Sequence, residues 1–146
     1  MTEPSAATLR EILANTRTIA VLGAHDAPER PAFYVPEYLH RRGYEVRAVN
    51  PARVGIALWG RPVVAGLGDL DGPIDLVDVF RRPEFLLGHV PEILAMRPLP
   101  KVVWFQSGIR HAGAAAALRA AGIVVIEDRC TLAEHQRLLG PGHRAG

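Results

Sequence analysis

Cysteine occurs once and lysine once in this chain of 146 residues. A single thiol, Cys130, excludes an intramolecular disulfide framework and a multi-cysteine zinc site. It fits a reducing cytoplasm. Long apolar runs are missing too. The apolar stretches, such as Val102-Val103-Trp104-Phe105, are far shorter than the roughly 20 residues that a membrane-spanning helix needs. Glu3, Arg10, Glu11 and Arg17 interrupt the first 17 residues, so no signal-peptide apolar core is expected there. Charge of one sign is also scarce: 17 basic residues against 15 acidic leave a formal charge of +2, without the basic surplus of a nucleic-acid binder. The six histidines are dispersed and no H-x-x-x-H or C-x-x-C spacing occurs, which gives no metal site. Neither a Walker A run nor G-x-S-x-G appears.

What is present is ordinary globular composition, 49% hydrophobic and 22% charged. The length fits one domain, expected over 1–139, followed by a Gly/Pro/His-containing tail, 140–146, that is expected to fray. Apolar β-branched runs predict strands at 18–22, 45–49, 75–80, 101–105 and 123–126, with a short extra strand at Val63-Val64. Helical spacing predicts helices over 8–14, 33–42, 83–96, 112–121 and 131–139. Thr8 with Glu11, and Thr131 with Glu134, have capping-box spacing. Pro36 is expected in the first turn of its helix, and Pro91 is expected to break or kink the helix over 83–96.

Strands alternating with helices, the strands apolar on both faces, predict an α/β fold. It is a doubly wound, Rossmann-like, mainly parallel five-stranded sheet with helices on both faces. Ligands in such folds bind outside the carboxyl ends of the strands, near the point where strand order reverses. The residues just past each strand are therefore the candidates. Gly23 ends the first strand, followed by Ala24 and His25. The second and third glycines of a dinucleotide fingerprint are absent, but backbone N–H groups and a helix N-terminus remain available to a phosphate. Asn50-Pro51 ends the second strand, with Arg53 close by, where an NAD site would place a carboxylate for the ribose. Val79, Phe80, Arg81 and Arg82 end the third. Those two arginines suit phosphate or a purine face, unless Asp75 and Asp78 pair with them. Gln106, Ser107, Gly108 and Ile109 form a polar close-approach turn after the fourth strand. Arg110 lies just beyond it. Cys130 precedes a helix whose N-terminus is expected to lower its pKa.

In order and spacing these stretches resemble the small single-domain CoA-binding proteins, whose fold matches the CoA-binding domain of the succinyl-CoA synthetase α subunit. The likeness runs through Ile19–Gly23 with its Pro-rich follow-on, Gly43-Tyr44-Glu45-Val46 to Val49-Asn50-Pro51, Asp75-Leu76-Val77-Asp78-Val79-Phe80-Arg81-Arg82, Val103-Trp104-Phe105-Gln106-Ser107-Gly108-Ile109-Arg110, and Asp128-Arg129-Cys130 with Glu134-His135. It covers roughly residues 15–139. Similar proteins carry Ser or Lys in the first loop and Lys after the Asn-Pro turn; here Ala24-His25-Asp26-Ala27 and Arg53 stand instead.

The resemblance implies coenzyme A or an acyl-CoA as ligand and no reaction of the chain's own. The function so implied is a non-catalytic binding module: a carrier, sensor or regulator. It has no catalytic residue, and His111 and His135 take no phosphohistidine role. The implied contacts are donors after Gly23 for the pyrophosphate, Arg53 for the 3′-phosphate, 79–82 for the adenine or the start of the pantetheine arm, and 106–109 for the pantetheine amides. A mixed disulfide between Cys130 and the CoA thiol is conceivable. Two alternatives stand beside this reading: an NAD(P)-binding Rossmann protein or oxidoreductase subunit, and an interaction protein that kept the fold without the ligand. No nucleic acid or membrane partner is expected, and a homo-oligomer stays open.

Overall fold

The computed structural model describes residues 3–145. Five parallel strands form its sheet: β1 (Thr18–Leu22), β2 (Glu45–Val49), β5 (Leu76–Val79), β6 (Val102–Phe105) and β7 (Val124–Ile126). Their order is β2-β1-β5-β6-β7, so strand order reverses between β1 and β5. A two-stranded hairpin, β3 (Ala57–Leu58) and β4 (Arg61–Pro62), lies outside the sheet. It takes the place of the expected strand at Val63-Val64. Val64 instead makes one parallel bridge to Val49, a rudiment of a further strand on the β2 edge. Pro62 has no N–H to give, which keeps this edge pairing short.

Alternation along the strands sends side chains to two cores. Ala20, Leu22, Val77, Val79, Val103 and Phe105 face one core, which is covered by α3 (Pro83–Leu94) and α4 (Ala112–Ala120). Ile19, Val21, Val46, Leu76 and Trp104 face the other, under α1 (Ala6–Asn15), α2 (Pro31–Arg41) and α5 (Thr131–Leu138). This is the doubly wound arrangement that strands apolar on both faces require. Among the described residues no helix is long and apolar enough to cross a membrane.

Capping differs from expectation at both threonines. Ser5 caps α1, accepting from Thr8 N–H at 3.1 Å, which places Thr8 inside the helix. Cys130 rather than Thr131 occupies the N-cap of α5, and the Thr131 hydroxyl donates to the buried Asp78 at 3.0 Å. The prolines differ as well. Helix α2 starts at Pro31, earlier than its pattern suggests, so Pro36 lies inside it. A helical proline frees the carbonyl four residues back. That carbonyl, Ala32 C=O, accepts from His25 N–H at 3.2 Å and so ties the loop after β1 to α2. Helix α3 runs through Pro91 without interruption. The carbonyl freed there belongs to Leu87, an exposed residue, so water can satisfy it.

The register places the site. Leu22 is level with Val49 on one side and Val79 on the other, and Val79 is level with Phe105. Four strands therefore end in line, and the next residue of each forms a row along one rim: Asn50, Gly23, Phe80 and Gln106.

Candidate functional site

A cleft of about 750 Å³ opens along this rim, astride the β1/β5 reversal. Of the candidate residues, Gly23, His25, Asn50, Arg53, Phe80, Arg81, Gln106, Ser107 and Ile109 line it. The other four candidates do not. Ala24 and Val79 are buried in the two cores. Pro51 begins a one-turn 3-10 helix, and Gly108 donates its N–H to the Asp128 carboxylate at 2.6 Å. Arg30, Tyr34, Arg82, Phe85 and Cys130 line the cleft in addition.

The floor is built from backbone committed elsewhere. Gly23 N–H and Ala24 N–H both donate to Val49 C=O, and His25 N–H donates to Ala32 C=O. These three donors are not turned to a ligand. In the first turns of α2 and α3, Pro31 and Pro83 have no N–H, and the N–H groups of Phe33, Tyr34 and Phe85 donate to Arg30 or Arg82 C=O, so the donors without a backbone partner there are those of Ala32 and Glu84. Gly23 adopts φ +91°, and a Cβ there would sit 2.6 Å from Phe80 O. Asn50 stitches the rim: Nδ2 donates to Ala24 C=O at 2.8 Å, and Oδ1 accepts from Ala52 N–H at 2.9 Å.

The charges are positioned with equal care. Arg53 Nε donates to Asp26 at 2.8 Å, and Nη2 lies 2.7 Å from His25 Nε2. That hydrogen bond holds the Asp26 carboxyl below its ordinary range. Among the described residues Nη1 of Arg53 makes no hydrogen bond, so it is free for an anion. Arg81 stacks on Phe85, its guanidinium carbon 4.6 Å from the ring centroid, and donates to His89 at 3.2 Å. His89 in turn bonds Glu92 at 2.6 Å. Neither candidate carboxylate pairs with these arginines. Asp75 accepts from the N–H groups of Arg17 and Thr18, and Asp78 is buried with Gln106 and Thr131.

The lining is asymmetric. Arg30, Arg53, Arg81 and Arg82 gather over the ends of β1, β2 and β5, whereas beyond β6 the lining is Gln106, Ser107, Ile109 and Cys130, all uncharged. The expected lowering of the Cys130 thiol is overturned. Burial pushes it up, and the nearby Asp78 and Glu134 charges add to this; hydrogen bonds from Leu132 and Ala133 N–H oppose it and lose. A thiol held protonated is a poor nucleophile. His111 caps α4, accepting from Ala114 N–H at 2.9 Å, and His135 is buried on the far side of the sheet rim against Tyr38 and Tyr44. Neither lines the cleft.

The CoA binding domain family matches residues 17–136. The chain belongs to that family. A curated relative, uncharacterized protein YneT of Bacillus subtilis (strain 168), is 39% identical over 135 residues, which are 92% of this chain and 97% of that protein. A solved structure from Thermus thermophilus, cell-free ID.343, is 52% identical with a TM-score of 0.89, covering 92% of this chain and 99% of its own. A dinucleotide forming acetyl-coenzyme A synthetase of Ca. Korarchaeum cryptofilum shares the fold at 18% identity and a TM-score of 0.65. The match covers 79% of this chain and 26% of the synthetase.

Proposed function

We propose that the cleft binds coenzyme A or an acyl-CoA and that the chain acts as a binding module, a carrier, sensor or regulator, without chemistry of its own. The observation that carries this reading is the charge asymmetry along the rim. Coenzyme A has a triply phosphorylated nucleotide at one end and an uncharged arm with two amides at the other. Four arginines over β1, β2 and β5 match the first, and Gln106, Ser107 and Ile109 match the second. Guanidiniums are the preferred planar partners of phosphate oxygens. Placement supports a role for each group. Arg53, fixed by Asp26 and His25, presents Nη1 to the 3′-phosphate. Arg30, Arg82 and the N-termini of α2 and α3 lie beside the pyrophosphate, and Arg81 on Phe85 offers a flat face to the adenine.

The NAD(P) reading is less well supported. Asn50 stands where the ribose carboxylate belongs, and both of its side-chain polar atoms are already bonded to backbone. Titration calorimetry with CoA, dephospho-CoA and NAD tests the choice. CoA is expected to bind most tightly and NAD most weakly. Arg53→Ala should weaken CoA by about tenfold, the scale of one charge-assisted hydrogen bond, and leave dephospho-CoA nearly unchanged. Equal losses for both ligands would remove the 3′-phosphate from Arg53. Binding of NAD in preference to CoA would overturn the function.

A further inference from the structure

Gln106 is 4% exposed, follows β6 directly and lines the cleft. Both protons of its Nε2 are spent inward, on Asp78 Oδ1 and on Thr131 Oγ1 at 2.8 Å. Thr131 in turn donates its hydroxyl proton to Asp78 Oδ2 at 3.0 Å. Among the described residues Oε1 of Gln106 accepts no hydrogen bond. It is also not sealed in: the buried, unpartnered side-chain atoms are Arg42 Nε and Arg129 Nε. A nearly buried amide thus turns its one unused polar atom, an acceptor, to the cleft.

We propose that the neutral end of the cleft is an acceptor subsite, in which Gln106 Oε1 takes an amide N–H from the ligand's arm, with Asp78 and Thr131 as the positioning residues that fix this orientation. The inference rests on the CoA reading above and deepens it. The logic is that of donors and acceptors. An ionised Asp78 is acceptor-only. It demands the Nε2 side of Gln106 and the hydroxyl proton of Thr131, so Oε1 must face outward. An asparagine at position 78 carries one donor and one acceptor. In the unflipped arrangement Asn Nδ2 faces Thr131 and leaves the Thr131 hydroxyl proton without an acceptor in the triad; the flipped one restores it, with Asn Nδ2 donating to Gln106 Oε1 and Thr131 donating to Asn Oδ1. The Gln106 amide N–H groups would then face the cleft, and the subsite would lose its acceptor. Burial raises the Asp78 pKa to about 7, so the orientation is fully enforced only above that pH. The titratable group that feels the Asp78 charge is Cys130, the N-cap of α5, and Glu134 on α5 acts on the same thiol. Glu134 is already paired with Arg129 and Arg137.

The test uses two ligands at pH 8.5: CoA, and adenosine 3′-phosphate 5′-diphosphate, which is the nucleotide half without the arm. Wild type should bind CoA the more tightly. Asp78→Asn and, as a second variant, Gln106→Met should each weaken CoA by about tenfold, one lost hydrogen bond to a buried acceptor. Both should leave the nucleotide half within about twofold. A merely structural role would loosen the cleft and weaken both ligands alike. Equal losses for the two ligands, or unchanged CoA affinity in the variants, would overturn the subsite alone. A wild type that binds neither ligand would overturn the CoA reading and the subsite together.

Discussion

Gly23→Ala should destabilise the fold by about 3 kcal/mol and abolish ligand binding. Two costs add. An alanine at φ +91° leaves the allowed region for L-residues, which costs on the order of 1–2 kcal/mol. Its Cβ would also approach Phe80 O to 2.6 Å and Arg81 Cδ to 3.0 Å, and overpacking against backbone costs roughly 1–3 kcal/mol. The Phe80 carbonyl cannot swing aside like a long side chain, because Phe80 N–H is held by Leu22 C=O at 2.9 Å in the sheet. The relief must come from parting β1 and β5 at the rim, which is where the cleft is built. Gly108→Ala is the control. Gly108 also has positive φ, +81°, but nothing lies within 4 Å of its would-be Cβ, so only the strain of about 1 kcal/mol applies. Thermal melts separate the two. The midpoint should fall by about 10 °C for Gly23→Ala and by about 3 °C for Gly108→Ala. Similar losses would mean that the close approach at Phe80 carries no weight.

The contrast also shows what the sequence displays and what it conceals. A glycine after an apolar β-branched run marks the end of a strand, and both Gly23 and the bounds of β1 and β2 could be read from it. All five strands and the parallel, doubly wound arrangement were legible for the same reason: each run is short, apolar on both faces and separated by a helical pattern. Which of the two glycines is crowded depends on a strand 57 residues away in the chain, Phe80 against Gly23, and no local pattern carries that. The site follows the same division. Residues that directly follow strands, such as Asn50, Phe80 and Gln106, are visible because the fold fixes where they go. Arg30, Tyr34 and Phe85 reach the cleft from the entries and exposed faces of α2 and α3, and their place depends on how those helices cross the rim. Pro31 was the available signal for the early start of α2, since proline favours the first helical position. Thr131 shows the limit of spacing arguments. It has capping-box spacing to Glu134, yet a buried carboxylate on β5 competes for the same hydroxyl and takes it.

That carboxylate makes the second large effect a dependence on pH. Asp78 has no exposure, and burial raises its pKa to about 7, against hydrogen bonds from Gln106 and Thr131 that lower it. Between about pH 4 and 7 the folded protein holds a proton that the unfolded chain has released. Stability therefore falls as pH rises through this window, by on the order of a few kcal/mol. His135 runs the other way. Burial is the main cause that lowers its pKa to about 4, with the charges of His143 and Arg42 adding to it. Tyr38 bonds its Nδ1 at 2.8 Å, and Tyr44 packs on its ring. Its contribution is complete above about pH 6.5 and is lost as pH falls towards 4. The two slopes oppose each other, so wild-type stability should be nearly flat between pH 4.5 and 6.5 and should decline from there to pH 7.5. Each substitution unmasks the other group. Asp78→Asn should gain stability with rising pH up to 6.5 and exceed wild type above pH 7. His135→Gln should lose stability steadily from pH 4.5 to 7.5. Urea midpoints at pH 4.5, 6.0 and 8.5 read all three chains, and parallel profiles would sink the assignment. The crossing with the binding test is the informative part. A substitution that stabilises the fold above pH 7 while weakening CoA would show that Asp78 is kept for the acceptor it aims into the cleft, at a cost to the fold that carries it.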